Sequence, residues 1–277
     1  MAFSTLNIAL IETEIIDFDV DSNLQSIANR IAQLPEMCDV AILPELVTTG
    51  FVSDAERALS LAERNTGDSM HRIADMAHNK NCAVCGSFLA RTAGRVFNRA
   101  FFIETNGDGT FYDKKHLFTM GGEREIFASS SKSSPIIRFR GWNIKPIICY
   151  DLRFPVFSRN RCDYDAIVYV ANWPTSRLEV WRTLLKARAI ENQCYVVGVN
   201  RCGHDPLCEY AGSSAVVDAY GRVMAEAGTD SQEVITVDLP LEPLQAFRRK
   251  FPVLADADSF SLLFSTTNDK KQEPIYE

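Results

Sequence analysis

The sequence has no apolar run of the roughly 18 to 20 residues that a membrane-spanning helix needs, so a helical membrane protein is excluded. It has no Lys/Arg cluster, and its net charge of -7 gives no general attraction to phosphate backbones or anionic lipid. Neither nucleic acid nor a membrane surface is expected as a partner. Met1 to Ile16 lacks the basic start and small-residue cleavage site of a secretory signal, so a soluble, cytoplasmic protein is expected. Eight cysteines in 277 residues are too sparse for a disulfide framework, which leaves free thiols available for chemistry. No Gly-x-Ser-x-Gly elbow occurs, which argues against serine hydrolysis. No Pro/Gly/Ser-rich linker interrupts the chain, so residues 1–277 are expected to form one domain, with a polar tail from about 266 to 277.

What is present is an ordinary globular composition, 46% hydrophobic and 23% charged, enough to bury a large core. Strand-length apolar runs alternate with amphipathic stretches. Leu6 to Ile11 predicts a strand, Leu24, Ile27, Ala28, Ile31 and Leu34 recur at helical spacing, and Val40 to Leu43 predicts the next strand. Ser53 and Glu56 form a capping-box pattern, and Asp68 is placed to cap a helix carrying Ile73, Met76 and Ala77. From Cys82 onward the pattern becomes closely spaced strands: Cys82 to Ala90, Val96 to Glu104 and Gly109 to Lys114, with turn residues between them. Later strands are expected at Pro135 to Phe139, Ile144 to Ile148, Ala166 to Val170, Tyr195 to Val199, Ala215 to Asp218 and Val234 to Val237. Arg177 to Gln193 predicts a helix. Phe102 to Tyr112 and Val216 to Met224 echo one another as strand, Gly-containing turn, strand, which fits either two similar sheets or two unrelated hairpins. The class is α/β, with mixed sheets covered by helices.

Three polar intrusions interrupt this framework. Cys149 ends the strand Ile144 to Ile148, where a turn can aim a thiol and the next backbone N–H at one carbonyl. Glu45 follows the strand Val40 to Leu43, where a carboxylate can take a thiol proton and pass it to a leaving amine. In Tyr112 to Phe118, period-2 alternation puts Tyr112, Lys114 and His116 on one face, and an inward lysine stabilises a thiolate or an oxyanion. Each has a plainer reading when taken alone: an inert buried cysteine, a solvated loop glutamate, a surface charge run.

Together the three resemble the nitrilase, or carbon-nitrogen hydrolase, superfamily, with its Glu-Lys-Cys triad in this chain order. The family's Lys-x-His-Leu-Phe motif falls on Lys114 to Phe118, which identifies Lys114 and not Lys115 as the catalytic lysine. A further family glutamate matches Glu123, although the position seven residues on, commonly glycine, is Ser130. Tyr112 to Phe118, Cys149 to Pro155, Tyr164 to Pro174 and Ala187 to Gln193 look like the ω-amidase branch, whose substrates are 2-oxoglutaramate and 2-oxosuccinamate. The resemblance implies a four-layer α-β-β-α sandwich, a homodimer or higher homo-oligomer, no metal and no organic cofactor. It also implies that Arg153 holds the substrate carboxylate, where the alternative is a structural ion pair with Asp151 or a neighbouring acid, and that Phe51, Asn172 and Trp173 line the pocket. The implied reaction starts when Glu45 activates Cys149 for attack on a small-molecule amide. Lys114 and the Tyr150 N–H hold the oxyanion, and a thioester forms and is hydrolysed. Deaminated glutathione amidase and N-carbamoyl amidohydrolase are the alternatives within the family.

Outside it, three rivals remain. Cys82 and Cys85, or Cys202, His204 and Cys208, suggest metal or redox chemistry, although residues three apart on a strand face opposite ways. His116 or His204 would replace Glu45 in a Cys-His hydrolase. A non-enzymatic binding protein on the same fold is the third.

Overall fold

A computed structural model describes residues 5–229 and 231–264, so the expected tail at 266–277 lies outside the described residues. In chain order the strands are β1 (Thr5–Ile11), β2 (Val40–Ile42), β3 (Ala83–Thr92), β4 (Arg95–Ile103), β5 (Gly109–Asp113), β6 (Ile137–Phe139) and β7 (Trp142–Ile148). They continue with β8 (Ala166–Ala171), β9 (Tyr195–Asn200), β10 (Cys202–His204), β11 (Glu209–Ala211), β12 (Ala215–Val217), β13 (Val223–Glu226) and β14 (Val234–Pro240). The helices are α1 (Val20–Ala32), α2 (Ala55–Leu61), α3 (Asp68–Lys80), α4 (Glu123–Ile126), α5 (Pro155–Ser158), α6 (Leu178–Asn192) and α7 (Leu241–Lys250).

Two six-stranded sheets run in the orders β14-β1-β2-β3-β4-β5 and β6-β7-β8-β9-β12-β13. Each has an antiparallel edge strand, then three parallel strands, then two antiparallel ones. The echo between Phe102 to Tyr112 and Val216 to Met224 therefore has a structural basis, because β4-β5 and β12-β13 occupy equivalent places in the two sheets. The central parallel strands read as unbroken apolar runs because both of their faces are covered. Leu6, Ile8, Val40, Ile42, Cys85 and Phe102 meet Ile144, Ala166, Val168 and Val197 between the sheets. On the outer face of the first sheet, Ala9, Ile11, Ala41 and Val84 pack on Leu24, Ile27 and Ile31 of α1 and on Met70, Ile73 and Ala77 of α3. Helix α6 covers the second sheet so closely that a Cβ on Gly198 would stand 2.7 Å from carbons of both Trp181 and Leu185. The layers are α-β-β-α, the sandwich expected from the resemblance.

Local differences from expectation concern caps and ends. Asp54, not Ser53, caps α2 by accepting from Arg57 N at 2.7 Å, and α3 starts after Gly67, with Asp68 already in its first turn. In α2 a carboxylate one residue on satisfies the helix start as well as the expected serine would, whereas in α3 Gly67 supplies no side-chain cap and Asp68 contributes only its charge in the first turn. Strand β3 starts at Ala83, and β5 stops at Asp113, so Lys114 and His116 lie just beyond a strand end. The two shared faces survive: Cys82 packs with the outer core and Cys85 with the inter-sheet core. Helix α7 and the β10-β11 hairpin had no separate signal in the pattern.

Candidate active site

The parallel strands β2 and β7 end at the same side of the sandwich, and the chain turns sharply after each. Past β2, Leu43 still pairs with Cys85 O at 2.7 Å. Leu46 then adopts φ +46° and its N–H donates to Ser87 Oγ at 2.7 Å, which leaves Glu45 buried at 3% exposure. Past β7, Cys149 itself is left-handed at φ +42°, a conformation rarely adopted outside glycine and enriched where geometry serves function. The following 3₁₀ turn is held from α6, where Arg188 donates to Leu152 O through Nε and Nη2 at 3.0 and 2.6 Å.

Lys114 follows β5, its N–H donating to Asn98 O at 2.9 Å. The Lys114 ammonium donates to Glu45 Oε1 and to Glu123 Oε1, each at 2.8 Å, with all three side chains almost wholly removed from water. Glu123 opens α4 and also accepts from Phe118 N through Oε2 at 2.8 Å. Ser130 does not disturb this arrangement: its N–H donates to Lys114 O at 3.0 Å, so the missing glycine leaves Glu123 in place. Lys115 points elsewhere, its Nζ donating to Ser130 O at 3.1 Å.

The sulfur of Cys149 faces a pocket of about 630 Å³, its open mouth included, lined by Glu45, Lys114, Glu123, Phe51, Arg153 and Trp173 among others. Two carboxylates and one ammonium form a cluster of net charge -1 beside the thiol. Burial, with Glu45 and Glu123 adding to it and Lys114 opposing, pushes the Cys149 thiol well above its usual range. Burial also works against the Lys114 charge, but Glu123 and Glu45 more than offset it, so the ammonium is retained well above its usual range. Glu123 is raised, by burial first and by Glu45, against the pull of Lys114. Burial and the two carboxylates thus favour the thiol over the thiolate that a lysine neighbour alone would favour.

Other expected residues fall around the same cavity. Asn172 N donates to Glu45 Oε2 at 2.8 Å, while both polar atoms of its side chain are buried and find no partner among the described residues. Trp173 is fixed by Nε1 donating to Arg177 O at 2.8 Å and by N donating to Asn200 Oδ1 at 2.7 Å. Phe51 lies edge-on to Phe127 at 6.4 Å. Arg153 lies over the Trp173 ring at 5.0 Å and forms no ion pair with Asp151. Asp151 is occupied otherwise, accepting from Tyr112 Oη at 2.7 Å, His116 N at 2.8 Å and His116 Nδ1 at 2.6 Å. This buried carboxylate ties the lysine segment to the cysteine turn.

His116 is consumed by that contact and stacks on Phe154 at 3.7 Å, and it is not among the pocket residues. His204 is 68% exposed in its side chain and also lies outside the pocket. Cys82 Sγ lies 3.4 Å from Cys38 Sγ. Among the described residues no group of three or more His, Cys, Asp or Glu is placed to hold a metal ion. Sequence reasoning missed Asn98, which binds Glu45, and Arg177, Asp205, Leu207 and Tyr210 of the pocket wall. Asn98 alone had a signal, as a polar residue inside the apolar run Val96 to Ile103.

A family model described as carbon-nitrogen hydrolase matches residues 7–249. The chain is 39% identical over 262 residues to the omega-amidase YafV of Yersinia enterocolitica, covering 94% of this chain and all of that protein. It is 31% identical over 250 residues to the 2-oxoglutaramate amidase of Bacillus subtilis, covering 87% of this chain and 95% of the other. Among solved structures, XC1258 of Xanthomonas campestris, described as a CN-hydrolase superfamily protein with an arsenic adduct in the active site, superposes with a TM-score of 0.89. That match has 37% identity and covers 94% of this chain and all of the other.

Proposed function

Starting from a chain that belongs to the carbon-nitrogen hydrolase family and is a hydrolase of amide C–N bonds, we propose that it is an ω-amidase. Its substrates are then 2-oxoglutaramate and 2-oxosuccinamate, cleaved to the 2-oxo acid and ammonia through a thioester on Cys149. One observation carries the reading: a buried Glu45–Lys114–Glu123 cluster closed at 2.8 Å on both sides beside a thiol, in a pocket that also holds Arg153, which has no ion-pair partner among the described residues.

Glu45 takes the Cys149 proton as the sulfur attacks the carboxamide carbon. The transfer moves one negative charge from carboxylate to sulfur and leaves the cluster's total charge unchanged, so no additional charge is buried. The oxygen that becomes anionic is held by Lys114 and by the N–H of Tyr150 at the turn. Collapse returns the Glu45 proton to the departing ammonia. A water, deprotonated by Glu45, then attacks the thioester, and the acid leaves as the thiol is restored. Glu123 holds Lys114 on course from the far side.

Arg153 receives the substrate carboxylate, since its planar fork suits that group and no carboxylate among the described residues occupies it. Asn172, with unpartnered amide atoms, along with Phe51 and Trp173, completes the binding wall. Residues 7–249 work as one hydrolase domain, and the exposed Ile190, Tyr220 and Phe251 on the helical side fit a homodimer contact. Eight free thiols fit a reducing cytoplasm.

The test is ammonia release from a panel of 2-oxoglutaramate, 2-oxosuccinamate, an N-carbamoyl amino acid and a simple nitrile. Highest kcat/KM on the two keto-acid amides is expected. A preference for the carbamoyl compound or the nitrile would overturn the assignment.

A further inference from the structure

Two guanidinium groups line the pocket, although one carboxylate needs only one of them. Arg153 lies over the Trp173 ring at 5.0 Å, and Arg177 lies over the Phe118 ring at 5.1 Å. Both rings are themselves held, Trp173 by its hydrogen bond to the Arg177 carbonyl and Phe118 by Tyr150 at 5.0 Å. A guanidinium resting on an aromatic face keeps N–H donors free for a ligand. Among the described residues neither group forms an ion pair or donates a side-chain hydrogen bond. The other charges at the pocket are engaged. Lys114 is closed on Glu45 and Glu123, and Asp205 accepts from Leu207 N and Cys208 N at 2.8 Å and from Tyr210 Oη at 2.6 Å.

The pocket thus has a floor of net charge -1 around the thiol and two unsatisfied cations. A neutral carboxamide belongs at the floor, and an acceptor-rich end belongs at the arginines. A lone carboxylate would satisfy one fork and leave the other idle. A 2-oxo acid carries its keto oxygen on the carbon next to the carboxylate, so three acceptors project together. The geometry points to Arg177 as a specificity-determining residue that takes the 2-oxo oxygen while Arg153 takes the carboxylate; this rests on the ω-amidase reading of the site. Because the Trp173 indole is held by the Arg177 backbone carbonyl, changing the Arg177 side chain spares that contact.

The experiment measures kcat/KM for 2-oxoglutaramate and for glutaramate, which has the same length and carboxylate but no 2-oxo group. Wild type, Arg177→Ala, Arg177→Lys and Arg153→Ala are compared. Wild type is expected to prefer 2-oxoglutaramate, and Arg177→Ala to lower the ratio of the two kcat/KM values by about 10- to 100-fold, the cost of a charged hydrogen bond. Arg177→Lys should fall between, since it keeps the charge without the fork. Arg153→Ala should depress both substrates and change the ratio far less. An unchanged ratio in both Arg177 variants overturns the inference alone. Wild type releasing ammonia from neither compound overturns the ω-amidase reading together with it.

Discussion

The side-chain amide of Asn98 donates to Glu45 Oε1 at 2.7 Å, the same oxygen that accepts from Lys114. Its backbone carbonyl accepts the Lys114 N–H at 2.9 Å, so one residue of β4 holds both members of the charged pair. Asn98 is a positioning residue: it holds Oε1 together with Lys114 while Asn172 N holds Oε2, and so fixes the orientation of the Glu45 carboxylate. Asn98→Ala should lower kcat about 10- to 100-fold with KM little changed, and Asn98→Gln should not restore it because the longer arm misplaces the donor. Steady-state kinetics on 2-oxoglutaramate check this. A change confined to KM would contradict it.

Removing the cation from the cluster leaves two carboxylates facing one another out of water. Breaking a buried pair by deleting one partner typically costs about 3–5 kcal/mol. Lys114→Met should therefore unfold at markedly lower urea, apart from its loss of activity, while Lys115→Met should not, since among the described residues the Lys115 ammonium meets one carbonyl and the Phe264 ring at 5.0 Å but no carboxylate partner. Equal midpoints for the two variants would show that the cluster contributes nothing to stability.

How much of this was legible in the sequence follows from what each signal depends on. Strand and helix cores could be read because burial on one or both faces writes a period into the chain, as in Val40 to Leu43 and in α1. Helix starts were displaced by a residue because Ser53 and Asp54 are both competent caps, and only tertiary placement chooses between them. The triad positions stood out as charged or reactive residues at strand ends, and family resemblance chose Lys114 over Lys115. The Glu45–Asn98 and Glu45–Asn172 hydrogen bonds join residues 53 and 127 positions apart, and no local pattern encodes such a pairing. The arginine at 177 was similarly silent, since it looks like an ordinary helix-start residue until the pocket is closed around it.

Glu12 offers a pH test separate from the active site. It is fully buried after β1, accepting from Ser214 N at 2.5 Å through Oε1 while Oε2 has no partner among the described residues. Burial, opposed by the Ser214 hydrogen bond and aided by Glu233, pushes its carboxyl from 4.5 up to about 7. Below 4.5 the folded and unfolded chains are both protonated there and no penalty arises. As pH rises to about 7 the unfolded chain gives up the proton first, so stability falls, and above about 7 the loss is complete. Glu12→Gln should therefore be more stable than wild type at pH 8, by at most about 3 kcal/mol, with the gap closing towards pH 4.5. Urea unfolding at pH 4.5, 6 and 8 checks it, and a gap independent of pH would contradict it.

The raised Cys149 thiol predicts slow alkylation of the resting enzyme at neutral pH. Iodoacetamide labelling at Cys149 should still be accelerating at pH 9, beyond the about 8.5 of a free thiol. Peptide mass spectrometry must follow Cys149 individually, because Cys162 is exposed and will also be labelled. A plateau below pH 8 would mean a preformed thiolate and a different role for Glu45.

The most direct measurement is intact-mass analysis of enzyme quenched during turnover of 2-oxoglutaramate, with ammonia followed in parallel, for wild type and Cys149→Ala. Wild type should carry one 2-oxoglutaryl group on Cys149, and the variant should show no adduct and only background ammonia. Undiminished ammonia release by Cys149→Ala would contradict the account.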